Sequence, residues 1–183
     1  PWYFTDILGM SSTFVKGYAV LTSISLFWSL YSGTLVDRYS RKKLFLYSNL
    51  TCSIIIGSAA FYGIINEYTP WFLALAVFGT TMFHYSIHYP NLYAFGQEIT
   101  EQKNYGKLNS YLEIQHQSTS IFAGAFAAIL LSGTENQVMN LMGLNITLPF
   151  DITSWEIHEI FLMDAITYAL AFFIILFIKY QPL

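Results

Sequence analysis

Apolar blocks of similar length alternate with short polar interruptions along the whole chain. The blocks run from Gly17 to Val36, Leu44 to Ile65, Pro70 to Phe95, Ser110 to Ser132 and Ile160 to Ile178. Each comes close to the roughly 20 residues that an α-helix needs to cross a hydrocarbon core at about 1.5 Å per residue. The charged run Asp37, Arg38, Arg41, Lys42 and Lys43 ends the first block, and Asn66, Glu67 and Tyr68 end the second. Pro70 stands where the first turn of a helix tolerates a missing N–H. A hydrophilic stretch, 97–109, precedes the fourth block, and a longer connection, 133–158, with Pro149, Asp151 and Trp155, precedes the fifth. The pattern predicts an all-α integral membrane bundle with transmembrane helices at 17–36, 44–65, 70–95, 110–132 and 160–178. Residues 1–13, with Trp2, Tyr3 and Phe4 followed by Gly9, Ser11 and Ser12, read as the end of an earlier helix running into a loop. Because Pro1 comes first and no charged segment precedes a short apolar one, we expect a trimmed start and see no signal peptide.

Composition supports the same class. Of 183 residues, 55% are hydrophobic and only 10% are charged, against roughly 25% charged in soluble domains. A net charge of -3 without an extended basic stripe argues against a nucleic-acid partner. The single cysteine, Cys52, lies in an apolar run, so the chain has no internal disulfide or cysteine-based zinc cluster.

Charge distribution orients the helices, because cytoplasmic loops retain lysine and arginine. Arg38, Arg41, Lys42, Lys43, Lys103, Lys107 and Lys179 fall on one predicted side, and only Lys16 falls opposite. The other side receives Asp6, Glu67, Glu135, Asp151, Glu156 and Glu159. The expectation is a multi-pass cell-membrane protein whose basic loops and C-terminal end are cytoplasmic, with the lipid bilayer as its surroundings.

The loop between the first two blocks reads G-T-L-V-D-R-Y-S-R-K-K, Gly33 to Lys43. It resembles the signature loop of the major facilitator superfamily, G-x-L-x-D-R-x-G-R-K/R-x. Gly33, Leu35, Asp37, Arg38, Arg41 and Lys42 match, and Ser40 replaces the usual glycine. The resemblance implies the N-terminal six-helix bundle of such a transporter, lacking most of the first helix, with the five blocks as helices two to six and a C-terminal half outside this chain. The spacing is most similar to the macrolide-efflux and siderophore-export branch. The resemblance also implies a gating role for Asp37 and Arg41, in a loop that holds the cytoplasmic side closed against the second half. On physical grounds alone, Gly33 allows close helix approach, and Asp37 can face a partner helix's N-terminus or pair with a loop arginine.

Ionisable residues inside a span are costly and so become functional candidates. The third block carries His84 and His88 beside Tyr85 and Tyr89, with Pro90 following; the fourth carries Glu113, His116 and Gln117. Counted from the basic ends, His88 and His116 have similar depths, so one His, Glu and Tyr constellation is expected as a site for substrate or coupling protons. His84 and His88 have metal-ligand spacing without a third ligand in the segment, so no metal or cofactor is assigned. Ser120, Gly124, Ala128 and Ser132 form a small-residue stripe for close helix packing. The expected function is secondary transport by alternating access, exporting a small organic compound such as a drug or siderophore, with proton coupling as its sharper form. No enzymatic activity is expected. A membrane-embedded enzyme built on the His and Glu residues, or a non-transporting scaffold, remain the alternatives.

Overall fold

The computed structural model describes residues 4, 8–133, 138–141, 144–147, 149 and 151–180. Trp2, Tyr3, Asp6 and Glu135 lie outside the described residues, as do the side chains of Ala128 and Ser132. Five long helices follow in order: α1 Ser11–Arg38, α2 Arg41–Asn66, α3 Trp71–Glu98, α4 Tyr105–Ser132 and α5 Ile157–Phe177. A short 3-10 turn, Gln102–Asn104, leads into α4. Three of these helices, α1, α2 and α5, are long and apolar enough to cross a membrane. α3 and α4, with 28 residues each, have the length but are not among those three.

α1, α2 and α4 contain their predicted apolar blocks, whereas α3 leaves out Pro70 and α5 leaves out Ile178, and the limits differ by a few residues. The reason is that hydropathy marks the apolar segment, whereas hydrogen bonding continues until a cap or a breaker ends it. α1 begins six residues before its predicted start at Gly17, absorbing Ser11 and Ser12, which had been assigned to a loop. α2 ends at Asn66 and is capped by Glu67, a non-glycine residue in the left-handed region at φ 51°. Pro70 is the residue before α3, not part of its first turn, and Pro90 is accommodated inside that helix. α5 opens with a capping box, in which the Glu156 backbone N–H donates to the Glu159 carboxylate at 2.8 Å.

The bundle is all-helical, and one short hairpin lies outside it in a connection. In the 133–158 connection, β1 Val138–Leu141 pairs antiparallel with β2 Leu144–Thr147, with Val138 opposite Thr147 and Leu141 opposite Leu144. Val138, Ile146 and Thr147 are β-branched residues suited to an extended backbone. The connection returns to the bundle where the Trp155 N–H donates to the Leu130 carbonyl at 2.8 Å.

α2 occupies the centre, packed against α3 and antiparallel to α5, while α1 packs on α3. The α2–α5 seam is made by small residues. Ser53 Oγ donates to the Ala165 carbonyl at 3.0 Å, and a Cβ at Gly57 would stand 3.5 Å from that of Ala165. At the far end of the seam, Gly63 lies against His158. Cys52, Ile56, Ala59, Val77 and Ala165 form the core, with Leu73, Phe161 and Tyr168 around them. The close-packing stripe therefore lies on α2. On α4, Ser120, Ala123 and Gly124 are exposed, and a Cβ at Gly124 would meet nothing within 4 Å. Gly33 is likewise exposed with no neighbour within 4 Å, so it serves no close approach inside this bundle.

The seam makes a stability prediction. Gly63→Ala places a Cβ against His158 and 2.7 Å from Thr69 Oγ1, which should cost about 1–3 kcal/mol as overpacking. Gly124→Ala should change stability by no more than about 0.5 kcal/mol. Denaturant unfolding of both variants in detergent micelles, followed by circular dichroism, measures the contrast.

Candidate functional site

The signature-like loop is very short in three dimensions, since only Tyr39 and Ser40 separate α1 from α2. Ser40 has φ -57° and ψ 124°, an extended conformation that needs no glycine, so its departure from the family pattern carries no backbone strain. α2 begins with Arg41, Lys42 and Lys43, although cations at a helix N-terminus oppose the macrodipole. The offset comes from neighbouring helices. Arg41 Nη1 pairs with the Glu98 carboxylate at the end of α3, 2.8 Å away and partly buried on both sides. Lys42 Nζ donates to the carbonyls of Leu176 at 3.0 Å and Ile178 at 2.6 Å, satisfying acceptors that the end of α5 leaves open. Asn91, fully buried, donates from Nδ2 to the Arg41 carbonyl at 2.9 Å. The Tyr180 hydroxyl, beyond α5, donates to Glu98. These bonds form a clasp that gathers the ends of α2, α3 and α5.

Of the two roles open to Asp37, a helix N-terminus or a loop arginine, no ion pair with a loop arginine occurs among the described residues, where Arg41 pairs with Glu98. Asp37 and Arg38 are exposed and make no hydrogen bond or ion pair there. Half of the loop thus holds its own bundle together, and the other half is free. Glu98, Asn91 and Tyr180 were not singled out from the sequence. The signal was faint: a carboxylate at the polar edge of a span, an asparagine after a proline, and a tyrosine indistinguishable from an interfacial anchor.

In the middle of the bundle the predicted constellation separates into two sets on different faces of α3. Tyr89 lies edge-on to His116 of α4, ring centroids 4.7 Å apart, and its hydroxyl shares a hydrogen bond with His116 Nδ1. Tyr85 stacks near Tyr89 at 4.5 Å. Nearer the basic end, Tyr93 makes a long 3.4 Å contact to Glu113, which accepts a 2.7 Å bond from Gln117 Nε2. His84 and His88 turn away from this set. His84 meets Tyr168 of α5 at 4.9 Å, and His88 meets Phe45 of α2 at 5.4 Å. The contact of His88 with Tyr89, 5.5 Å between ring centroids, bridges the two sets. Among the described residues, no three His, Cys, Asp or Glu side chains are placed to hold a metal ion.

Beside the tyrosines, a cleft of about 280 Å³ opens between α1 and α3, lined by Ser25, Thr81, Met82, Tyr85 and Ser86. Pro90 has no N–H to donate to the carbonyl of Ser86, so an acceptor is released next to this cleft. Hydroxyls, a free carbonyl and aromatic faces together suit an organic molecule with both polar and apolar parts.

No family model, curated protein or solved structure matches the chain. The functional reading therefore rests on the geometry and on the loop resemblance.

The clasp has a pH signature. Burial, the bond to Glu98 and the charge of Glu98 push the Tyr180 phenol up to about 12, with Arg41 opposing. A raised folded-state value means that the unfolded chain loses this proton first, near the ordinary tyrosine value of about 10. The Tyr180 contribution to stability is therefore fully present below that pH and lost as pH rises through about 12. Glu98→Gln should move Tyr180 back toward about 10, read as the alkaline tyrosinate absorbance that disappears in a Tyr180→Phe control.

Proposed function

We propose that this chain is most of the N-terminal half of a major facilitator superfamily secondary transporter, which exports a small organic compound by alternating access. The observation that carries the reading is the divided loop. Arg41 and Lys42 secure the ends of α2, α3 and α5, while the Asp37 and Arg38 side chains stand exposed at the same end, without a partner among the described residues. Such an arrangement suits a rigid half that presents a charged pair to a second, moving half. Asp37 would face a helix N-terminus there, an interaction worth about 0.3–2 kcal/mol.

Two further features support the reading. The basic residues Arg38, Arg41, Lys42, Lys43, Lys103, Lys107 and Lys179 all lie at or next to the helix ends joined by the clasp, which supports a cytoplasmic assignment of that end by the positive-inside rule. The cleft at Ser25, Thr81, Tyr85 and Ser86, continued by Tyr89 and His116, offers rings and hydrogen-bonding groups to an amphipathic solute such as a drug or siderophore. The lipid bilayer and a C-terminal half are the implied partners.

Proteoliposomes containing the full-length protein and a panel of organic compounds test the proposal. Asp37→Asn should lower transport about tenfold, equivalent to ~1.4 kcal/mol, without reducing membrane insertion. Normal transport by that variant would remove the gating role, and a native gene without further membrane spans would remove the transporter reading itself.

A further inference from the structure

Tyr85, Tyr89 and Tyr93 recur every four residues and form one stripe of rings along α3. α4 meets that stripe with polar side chains. The Tyr89 hydroxyl shares a hydrogen bond with His116 Nδ1, and the Tyr93 hydroxyl donates to the Glu113 carboxylate at 3.4 Å. Glu113 and His116 lie one turn apart on α4, so both contacts belong to one gap between the two helices. Gln117 Nε2 donates to the same carboxylate at 2.7 Å. At the other end of the stripe, Tyr85 stacks near Tyr89 at 4.5 Å and lines the cleft of about 280 Å³. Tyr85 thus joins the cleft to the gap.

The carboxylate in this gap has no counter-charge. Glu113 stands two turns into α4, roughly 12 Å from its first residue, and ionised side chains inside a span are ordinarily paired. Among the described residues Glu113 makes no ion pair, because Arg41 is held by Glu98, Lys103 by Glu101 and Lys42 by the carbonyls at the end of α5. His116 has Nδ1 turned to Tyr89. The two groups that bond Glu113, an amide and a phenol, are neutral donors that orient the carboxylate and leave its charge in place. Glu113 is exposed, so the charge is open to an incoming ligand.

We propose that the gap between α3 and α4 binds a substituted ammonium ion, its charge between the Glu113 carboxylate and the rings of Tyr89 and Tyr93, and its apolar part along the stripe toward Tyr85 and the cleft. A carboxylate and the faces of tyrosine rings both attract an organic cation and both disfavour an anion. From Tyr85 to Tyr93 the stripe covers about 12 Å of helix, which sets the reach of the apolar part. The inference rests on the proposed transport function for its biological role and narrows the solute from any amphipathic compound to a cationic one. The same chemistry is offered by a dissolved amine and by the choline headgroup of a lipid.

Phenylhexyl-trimethylammonium carries a fixed charge at every pH and is long enough to follow the stripe. Its binding to the full-length protein in choline-free lipid nanodiscs is measured by equilibrium dialysis, with empty nanodiscs as the blank. Two competitors share its shape: the carbon analogue with a tert-butyl group, and phenylhexyl sulfonate. The ammonium ion should bind saturably, the carbon analogue about tenfold more weakly, and the sulfonate should not compete. Glu113→Gln should weaken ammonium binding about tenfold and remove the preference over the carbon analogue. Tyr93→Leu should weaken it about threefold, which keeps the test decisive where Glu113→Gln does not fold. Glu101→Gln, outside the gap, should leave it unchanged. Equal affinity for the ammonium ion and its carbon analogue in the unmodified protein overturns the proposal, as does undiminished binding in folded Glu113→Gln. Added phosphatidylcholine separates the two sources: unchanged affinity assigns the site to a dissolved cation, and competition assigns it to the choline headgroup and removes its part in transport. Glu113-dependent binding in a protein that moves no compound across vesicles keeps the site and sinks the transporter reading; an active transporter without ammonium binding does the reverse.

Discussion

The close antiparallel contact of α2 with α5 sets the rest of this bundle. In lipid, two apolar helices gain little by merely hiding from their surroundings, so they associate through van der Waals contact and through hydrogen bonds across the seam. Gly57 and Gly63 remove side chains where α5 approaches, and the Ser53 hydroxyl reaches the Ala165 backbone. The register that follows places Lys42 under the last carbonyls of α5 at one end and His158 over Gly63 at the other.

The clasp is a consequence of that register. With α2 held against α5, its first residue presents a carbonyl to Asn91 and a guanidinium to Glu98, both on α3. Three helix ends are then joined by charged side chains placed at helix termini. For two of the three cations in the first turn of α2 the cost is offset, for Arg41 by the Glu98 carboxylate and for Lys42 by carbonyls that the end of α5 leaves open. Asp37 and Arg38 are left out of this network because α1 packs on α3 and not on the α2–α5 pair.

α3 separates two chemistries by helical geometry alone. Residues 84 and 88 lie one turn apart on one face, residues 85 and 89 on the next, and each pair meets a different neighbour. One face meets α2 and α5, where Phe45 lies edge-on to His88 and Tyr168 to His84; the other meets α4 and the cleft beside α1. Similar depth along the membrane was legible in the sequence, but the rotation of α3 about its own axis was not. A single cluster expected from depth became two.

The hydrophobic pattern by itself determined the five helices, their order, and the collection of basic residues at one end. Those properties follow from local composition and from the length an apolar helix must have. Pairing was decided only by the tertiary structure. A glycine in a sequence does not say which helix approaches it, so Gly57 and Gly63 went unremarked while the stripe at Ser120 and Gly124, and Gly33, were credited with close contacts that this bundle does not make. A loop arginine likewise does not reveal its carboxylate. Asp37 is the carboxylate nearest to Arg41 in sequence, yet Arg41 pairs with Glu98, because the helix register, and not chain distance, decides which charges meet. The hairpin at 138–147 belongs to the same category, since its pairing arises between two short segments too brief to show a period.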